Sequence, residues 1–343
     1  MSEIKLTQYS HGAGCGCKIS PAILSELIPQ LDDSLVNRNL LVGNDSSDDA
    51  AVYDLGDGTA IISTTDFFMP IVDDPFLYGS IAATNAISDV YAMGGTPLVA
   101  IAILGWPIHK LPAKIANQVM EGGKKACAAA GIQIAGGHSI DSPEPIFGLA
   151  VTGRVELERL KRNNTATENC QLYLTKPLGV GILSTAQKKG ILKKEDAHLA
   201  SDSMNQLNNV GRELSILEGV KAMTDVTGFG LLGHLRELCN GSQLSSIINF
   251  NQVPFLKNIR HYLQLEAIPG GTNRNWESYG HQIELENKEQ RILLCDPQTS
   301  GGLLIAVEPD FSQKVEYILK ENNCLVAKIG QMIPKEDFAV KVK

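Results

Sequence analysis

Apolar and polar positions fall in blocks that read as strands and helices in alternation. Ala50-Ala-Val-Tyr53 and Ala60-Ile-Ile-Ser-Thr-Thr-Asp66 have the composition of short strands, and the second ends on an acid. Residues 80–93 are apolar almost all round, which predicts a helix buried on every side. Leu98-Val-Ala-Ile-Ala-Ile-Leu104 is apolar on both faces, as in a strand covered twice or lying at a subunit interface. A short helix is predicted from Pro21 through Ala-Ile-Leu-Ser-Glu-Leu-Ile28, and a longer one with a basic end over 113–130. Gln133-Ile-Ala-Gly-Gly-His-Ser-Ile140 predicts a strand running into a Gly-Gly turn that presents His138 and Ser139, with another strand over 147–153. The polar, strand-poor stretch 161–169 marks a domain boundary. A strand from Gln171, helical material to about Glu218 and an apolar strand after Asp296-Pro-Gln-Thr-Ser-Gly-Gly302 follow it.

Length and composition narrow the class. A chain of 343 residues is too long for one ordinary core, so two domains are expected. Apolar residues make up 43% and charged residues 20%, a globular balance. The net charge of −8 argues against a nucleic-acid partner held through its phosphates, though Mg²⁺ can carry a polyphosphate onto an acidic protein. Seven cysteines, an odd number, suggest a reducing compartment. The longest apolar run, 98–108, is too short for a bilayer and contains Gly105 and Pro107. With no charged-then-apolar leader, a cytoplasmic protein without a membrane partner is expected.

Four stretches carry candidate chemistry. In His11-Gly-Ala-Gly-Cys-Gly-Cys-Lys18, glycines free the backbone and Lys18 stands where a cation favours a cysteine thiolate. No core anchor precedes Pro21, so residues 1–18 are expected to be mobile; the bland alternative is a disordered end with two incidental cysteines. Gly43-Asn-Asp-Ser-Ser-Asp-Asp49 packs three carboxylates into a loop, either a solvated turn or a cation site. Asn85 and Asp89 share a face of the buried helix, where an unpartnered carboxylate costs several kcal/mol. Asp89 is therefore either a metal or nucleotide group or a hydrogen-bonded core residue beside Asn85. Around Asp225, the glycines 228, 230 and 233 match G-x-G-x-x-G, but no strong apolar strand leads in and no acid follows about twenty residues on. A dinucleotide site is rejected on that ground. Residues 12–19 miss the P-loop pattern at Cys17 and Ile19.

Taken together, His11-Gly-Ala-Gly-Cys-Gly-Cys-Lys18, Asp48-Asp-Ala-Ala-Val52, Ser63-Thr-Thr-Asp-Phe-Phe68, Ala83-Thr-Asn-Ala-Ile-Ser-Asp89, Ala135-Gly-Gly-His-Ser139, Thr224-Asp-Val-Thr-Gly-Phe-Gly230 and Asp296-Pro-Gln-Thr-Ser-Gly-Gly302 resemble the selenophosphate synthetase (selenide, water dikinase) family. The aspartate and glycine motifs are shared with the wider superfamily of aminoimidazole ribonucleotide synthetase and thiamine-monophosphate kinase. Gly14-Cys-Gly-Cys-Lys18 is the specific segment, with Cys15 where some members carry selenocysteine. The resemblance implies a two-domain α/β (α+β) fold of the aminoimidazole ribonucleotide synthetase-like type. Its parts would be a mobile Gly/Cys segment (1–18), an ATP/Mg-binding and dimerisation domain (19–160) and a C-terminal α/β domain (168–343). A homodimer would close through N-terminal-domain strands into a β-barrel.

The implied reaction converts ATP, selenide and water into selenophosphate, AMP and phosphate, with Mg²⁺ and usually K⁺. Asp49, Asp89 and Asp225 are implied as Mg²⁺ ligands. Lys18, Asp48, Asp66, Asp89, Gly137, His138 and Ser139 are implied at the nucleotide, with Ser46 and Ser47 there through backbone. Cys15 is implied as the essential thiol, with Lys18 beside it. A selenium-delivery protein is a possible further partner. Two other readings stay open: a different ATP-dependent enzyme of the superfamily, needing neither Cys15 nor Cys17, and a non-enzymatic thiol or metal carrier using Cys-x-Cys with His11. Paired carboxylates on a buried helix have no purpose in a carrier.

Overall fold

The computed structural model describes residues 4–19, 23, 26–27, 37–43 and 48–343. The helix expected from Pro21 falls mostly outside these residues; Ile23, Glu26 and Leu27 are helical. The first sheet holds β1 (Leu40–Val42), β2 (Ala51–Asp54), β3 (Thr59–Phe68), β4 (Thr96–Trp106), β5 (Ile134–Asp141) and β6 (Ile146–Glu156) in the order β1-β2-β3-β6-β4-β5. All neighbours are antiparallel except β4 and β5.

One face of this sheet is covered by α1 (Pro75–Ala92) and α2 (Ala113–Ala129). Helix α1 starts five residues before the apolar block suggested, because Asp74 caps it, accepting from Leu77 N at 2.7 Å, and Pro75 occupies its first turn. Residues 78–92 are all buried, as their composition required. Gly79 and Gly122 let the two helices touch backbone to backbone. A Cβ on Gly79 would sit 1.8 Å from Val119 O, and one on Gly122 would sit 1.9 Å from Phe76 O. The other sheet face is bare: Leu98 and Ile101 are 50% exposed and Ile140 58%.

The second sheet holds β7 (Gln171–Leu174), β8 (Val220–Asp225), β9 (Ser245–Ile248), β10 (Ile283–Glu284), β11 (Leu303–Val307), β12 (Ala327–Ile333) and β13 (Val340–Val342), ordered β10-β13-β9-β12-β7-β11-β8. It is covered twice. Leu303, Ile305 and Val307 of β11 face α5 (Val210–Leu214) and α10 (Ser312–Glu321), while Leu304 and Ala306 face α6 (Gly230–Gly241) and α9 (Lys288–Leu294). That two-sided burial explains why β11 is apolar throughout.

The stretch 161–169 lies between the two sheets, buried at its start and exposed at Thr165 and over Thr167–Asn169. Lys161 is buried, its Nζ donating to Val220 O at 2.8 Å and Leu217 O at 3.2 Å, and Asn163 is buried beside it. Its polar groups satisfy backbone acceptors where the two sheets meet, so polarity here marks a joint rather than a tether. Helix α1 also packs on the second sheet's layer, Ser88 Oγ accepting from Asn208 Nδ2 at 2.8 Å. Among the described residues no helix is long and apolar enough to cross a membrane.

Candidate active site

Cys15 lies on a short 3₁₀ turn, Gly14–Cys17, with 1% of its surface exposed. Both halves of the molecule hold it. Its amide donates to Thr299 Oγ1 at 2.9 Å, from the turn before β11, and its thiol donates to Asn85 Oδ1 at 3.4 Å, on α1. Asn85 Oδ1 also accepts from Ser300 N at 2.7 Å, and its Nδ2 donates to Asp66 Oδ2 at 2.6 Å. Lys18 Nζ stands 3.3 Å from the same Asp66 oxygen. Thiol, amide, carboxylate and ammonium thus form one continuous polar chain.

The absence of an anchor before Pro21 is corrected: Leu6 is fully buried and Thr7 N donates to Asp73 Oδ1 at 3.2 Å. Lys188 Nζ donates to Ser10 O at 3.2 Å. Gly228 is the seat of the segment, since a Cβ there would meet Cys15 O at 2.6 Å. The glycine of the rejected dinucleotide pattern therefore serves close approach of this chain's own backbone. A strand does lead straight into the turn before α6, but β8 is half polar, carrying Lys221, Thr224 and Asp225, and is buried all the same. Its partner β11 is antiparallel, so the parallel βαβ unit of a dinucleotide site is absent there.

Lys18 does not make Cys15 a ready thiolate. Burial pushes the Cys15 thiol up, Asp66 adds to this, and Lys18 only partly opposes them. Burial alone would lower the Lys18 ammonium, but its side chain is 38% exposed and the carboxylates of Asp66, Asp89 and Asp225 hold it charged.

The carboxylates gather behind this chain. Asp89, on α1, accepts from the Thr64 hydroxyl of β3. Asp49 Oδ1 accepts from Thr224 Oγ1 at 2.8 Å, and Asp225 ends β8. Burial raises all three well beyond or above the ordinary carboxylate range, and repulsion adds to it: Asp225 acts on Asp49 and Asp89, and Asp66 on Asp225. Asp49 Oδ2 and Asp225 Oδ2 are buried with no hydrogen-bond partner among the described residues. Orphaned oxygens in an all-oxygen donor set fit a hard cation such as Mg²⁺. Among the described residues no three acidic, His or Cys side chains are already drawn together around one point. Asp48 accepts from Asn163 N at 3.3 Å, and burial raises it to about 6. Ser46 and Ser47 lie outside the described residues.

Gly137, His138 and Ser139 are not in a turn. They belong to β5, an exposed edge strand. Gly137 pairs with Ala102, Ala102 with Leu149, and Leu149 with Asp66. Three strand spacings, roughly 14 Å, therefore separate Gly137 from Asp66 within one chain. Gly137 lets β4 approach closely, since a Cβ there would strike Ala102 O at 2.3 Å, whereas Gly136 faces open space.

Sequence reasoning missed several contributors. Thr299 and Ser300 sit in a polar turn whose burial was invisible in one dimension. Lys176 is fully buried, its Nζ donating to Gln206 O at 2.6 Å and Ser300 O at 2.8 Å; burial lowers it to about 7, while Asp225 supports its charge. His234 is buried too, lowered to about 3, first by burial and then by nearby cations. Neutral, it accepts from Thr227 N at 3.1 Å and steadies the turn after Asp225.

Comparison with known proteins places this arrangement. The AIR synthase related protein N-terminal domain matches residues 47–155 and the corresponding C-terminal domain residues 167–343. Solved structures share the fold at low identity. The HypE–HypF complex aligns with a TM-score of 0.69 at 16% identity, covering 94% of this chain and 96% of that one. The structure titled AaThiL complexed with AMPPCP and TMP aligns at 0.65 and 19%, covering 94% and 93%. Fold and site thus define an AIR synthase-related two-domain protein. Much nearer in sequence are proteins named selenide, water dikinase, from Photobacterium profundum (59% identical over 336 residues, 97% of each chain) and Haemophilus influenzae (57% over 342 residues, 99% of each). The chain belongs to the selenide, water dikinase family.

Proposed function

We propose that the protein makes selenophosphate from selenide, ATP and water, releasing AMP and phosphate. The carrying observation is Cys15. Its thiol is one hydrogen bond from Asn85, which is one hydrogen bond from Asp66, so a sulfur group enters a carboxylate cluster of the kind that handles nucleotide phosphates. A kinase of the same fold acting on an alcohol or phosphate has no need of it. Turnover of ATP with and without selenide, products resolved, is the test. AMP and phosphate appearing only with selenide is the expected result; ADP as the final nucleotide would refute the reading.

Asp49, Asp89 and Asp225 would hold Mg²⁺, which would supply positive charge against the phosphates of ATP. Their mutual repulsion and two orphaned oxygens support this role. K⁺ would act as a further cation. Lys18 would turn from Asp66 to a phosphate oxygen, with Asp48, Asp66 and Asp89 at the nucleotide and Ser46 and Ser47 contributing backbone. Cys15, protonated where it lies, would lose its proton as the segment loosens or as a neighbouring base takes it.

For Gly137, His138 and Ser139 to reach the same nucleotide, a second copy would have to bring them. The bare apolar face with Leu98, Ile101 and Ile140 supports a homodimer closed through these strands. The domains would divide as 1–18, 19–160 and 168–343. A selenium-delivery protein would supply selenide, and the reaction would run in the cytoplasm.

A further inference from the structure

We propose that a second anion site lies in front of Cys15, in the cleft between the N-terminal segment and helices α3 (Val180–Lys188) and α8 (Gly270–Tyr279), and that it takes a small tetrahedral oxyanion of the phosphate type. The cleft encloses about 760 Å³. Lys188, Lys189 and Arg274 stand on its wall, and among the described residues their polar partners are all backbone carbonyls. Lys188 Nζ donates to Ser10 O and His11 O at 3.2 and 3.3 Å, Lys189 Nζ to Glu266 O at 2.7 Å, and Arg274 Nη2 to Gly16 O at 2.7 Å. Carbonyls orient these side chains without cancelling their charge. No Asp or Glu lines the cleft among the described residues. A concave surface of one sign concentrates counter-ions.

Two further features name the kind of anion. Helix α8 begins at this wall with Gly270 and Gly271, and no side chain caps its first turn. Beside Gly270 the missing Cβ leaves room next to Arg274, while Pro297 packs against Gly271 and Thr272 N already donates to Pro269 O at 3.1 Å, so the approachable amide is that of Gly270. Ser184 of α3, 8% exposed, also lines the cleft, and its hydroxyl makes no hydrogen bond among the described residues. A guanidinium fork, ammonium groups, an amide and a hydroxyl together suit the several oxygens of a phosphate-like group. Bare selenide has no oxygens to use them.

Asp49, Asp89 and Asp225 do not line this cleft, so it is distinct from the carboxylate cluster. It does reach toward Cys15: Gly16, Lys18, Gly271 and Arg274 border both the cleft and the small void beside that residue. The proposed reaction makes two tetrahedral oxyanions, selenophosphate and phosphate. Only this naming of the occupant rests on that reaction; the site stands on its own donors.

The test is calorimetric titration of the full chain, without nucleotide, with inorganic phosphate and with thiophosphate as the oxygen-stable analogue of selenophosphate. One bound anion per chain is expected. Its affinity should fall about tenfold in Arg274→Gln and again in Lys188→Gln/Lys189→Gln, yet persist in Asp89→Asn. These cations are exposed, and thermal melts check that the variants fold. Thiophosphate binding the tighter would assign the site to the selenium-bearing product, and phosphate binding the tighter to orthophosphate. Absence of binding, binding unchanged by Arg274→Gln, or binding lost in Asp89→Asn would overturn the proposal. No turnover is read, so a failed selenophosphate assay leaves the cleft standing, and a failed titration leaves the reaction standing.

Discussion

Two charged regions flank Cys15, and burial sets them apart. Behind it Asp49, Asp89 and Asp225 lie within reach of neighbouring carboxylate charge without closing around one point, raised by desolvation and by that charge, with two oxygens unpartnered among the described residues. In front, Lys188, Lys189 and Arg274 are solvated and tied only to carbonyls. Like charges side by side in water repel weakly, so the basic cleft costs the fold little and should respond to salt. Like charges held away from water repel strongly, and a bound cation would relieve that repulsion. The difference teaches where a bound counter-charge would change stability more: at the buried carboxylates, whose repulsion water does not screen.

The largest effect should come from removing one of those charges. Asp89→Asn should lower ATP turnover more than about a hundredfold, through loss of cation-held phosphate, yet raise the melting temperature without Mg²⁺. Added Mg²⁺ should then stabilise the native protein more than the variant. A lower melting temperature for the metal-free variant would make Asp89 a core partner of Thr64 and break the comparison.

Cys15→Ser should abolish selenide-dependent turnover, because a serine hydroxyl can keep the bond to Asn85 but not the easily ionised sulfur. Cys17→Ser should keep most activity. Equal loss from both, followed by the same product assay, would point to a shared disulfide or metal site. A smaller effect is expected in hydrogen exchange over residues 8–18, which ATP–Mg²⁺ should slow by fixing Lys18 on a phosphate. Unchanged exchange would mean that the packing of Leu6 and Thr7 already holds the segment shut.

The buried helix α1 was legible because nearly every residue of 78–92 is apolar or small, so no single face had to be chosen. Its start was not, since the Asp74 cap and Pro75 lay outside the apolar block. Asn85, Asp89 and the run around Cys15 were legible as residues that packing alone does not require. Their partners were not. Thr299 and Ser300 meet Cys15 and Asn85 across more than two hundred positions, a juxtaposition that periodicity does not carry. The Gly-Gly of 136–137 was misread as a turn because glycine has two uses, and here Gly137 admits the neighbouring strand rather than reversing the chain. The burial of Lys161 within the polar stretch 161–169 was not legible either, because sequence records polarity, not burial.

The bare face of the first sheet offers a gentler test of the same contrast between buried and solvated surface. Ile101→Asp should yield a folded monomer at micromolar concentration, read by sedimentation, while melting close to the native chain. An intact dimer would move the interface elsewhere.

The smallest effect concerns Asp296, a buried carboxylate that lies with neither region's ligand set. It resembles Asp49 and Asp225 in having an orphaned oxygen, Oδ1. It differs in that Oδ2 accepts from Gly181 N at 3.0 Å and Gln298 Nε2 at 2.8 Å. Burial raises it from 3.8 to about 7, against those hydrogen bonds. The folded chain therefore holds a proton there that the unfolded chain releases near pH 4. Its stabilising contribution is complete below that pH and is lost as pH rises through about 7. Asp296→Asn keeps an acceptor toward Gly181 and cannot ionise, so its stability should fall less between pH 4 and 7 than the native chain's. The difference in slope should be a fraction of the ~1.4 kcal/mol per pH unit that one proton can supply. Urea unfolding of both chains across that range reads it directly. Equal slopes would mean that Gly181 and Gln298 suffice to keep Asp296 ionised, and that an orphaned oxygen alone does not distinguish a buried carboxylate awaiting a cation.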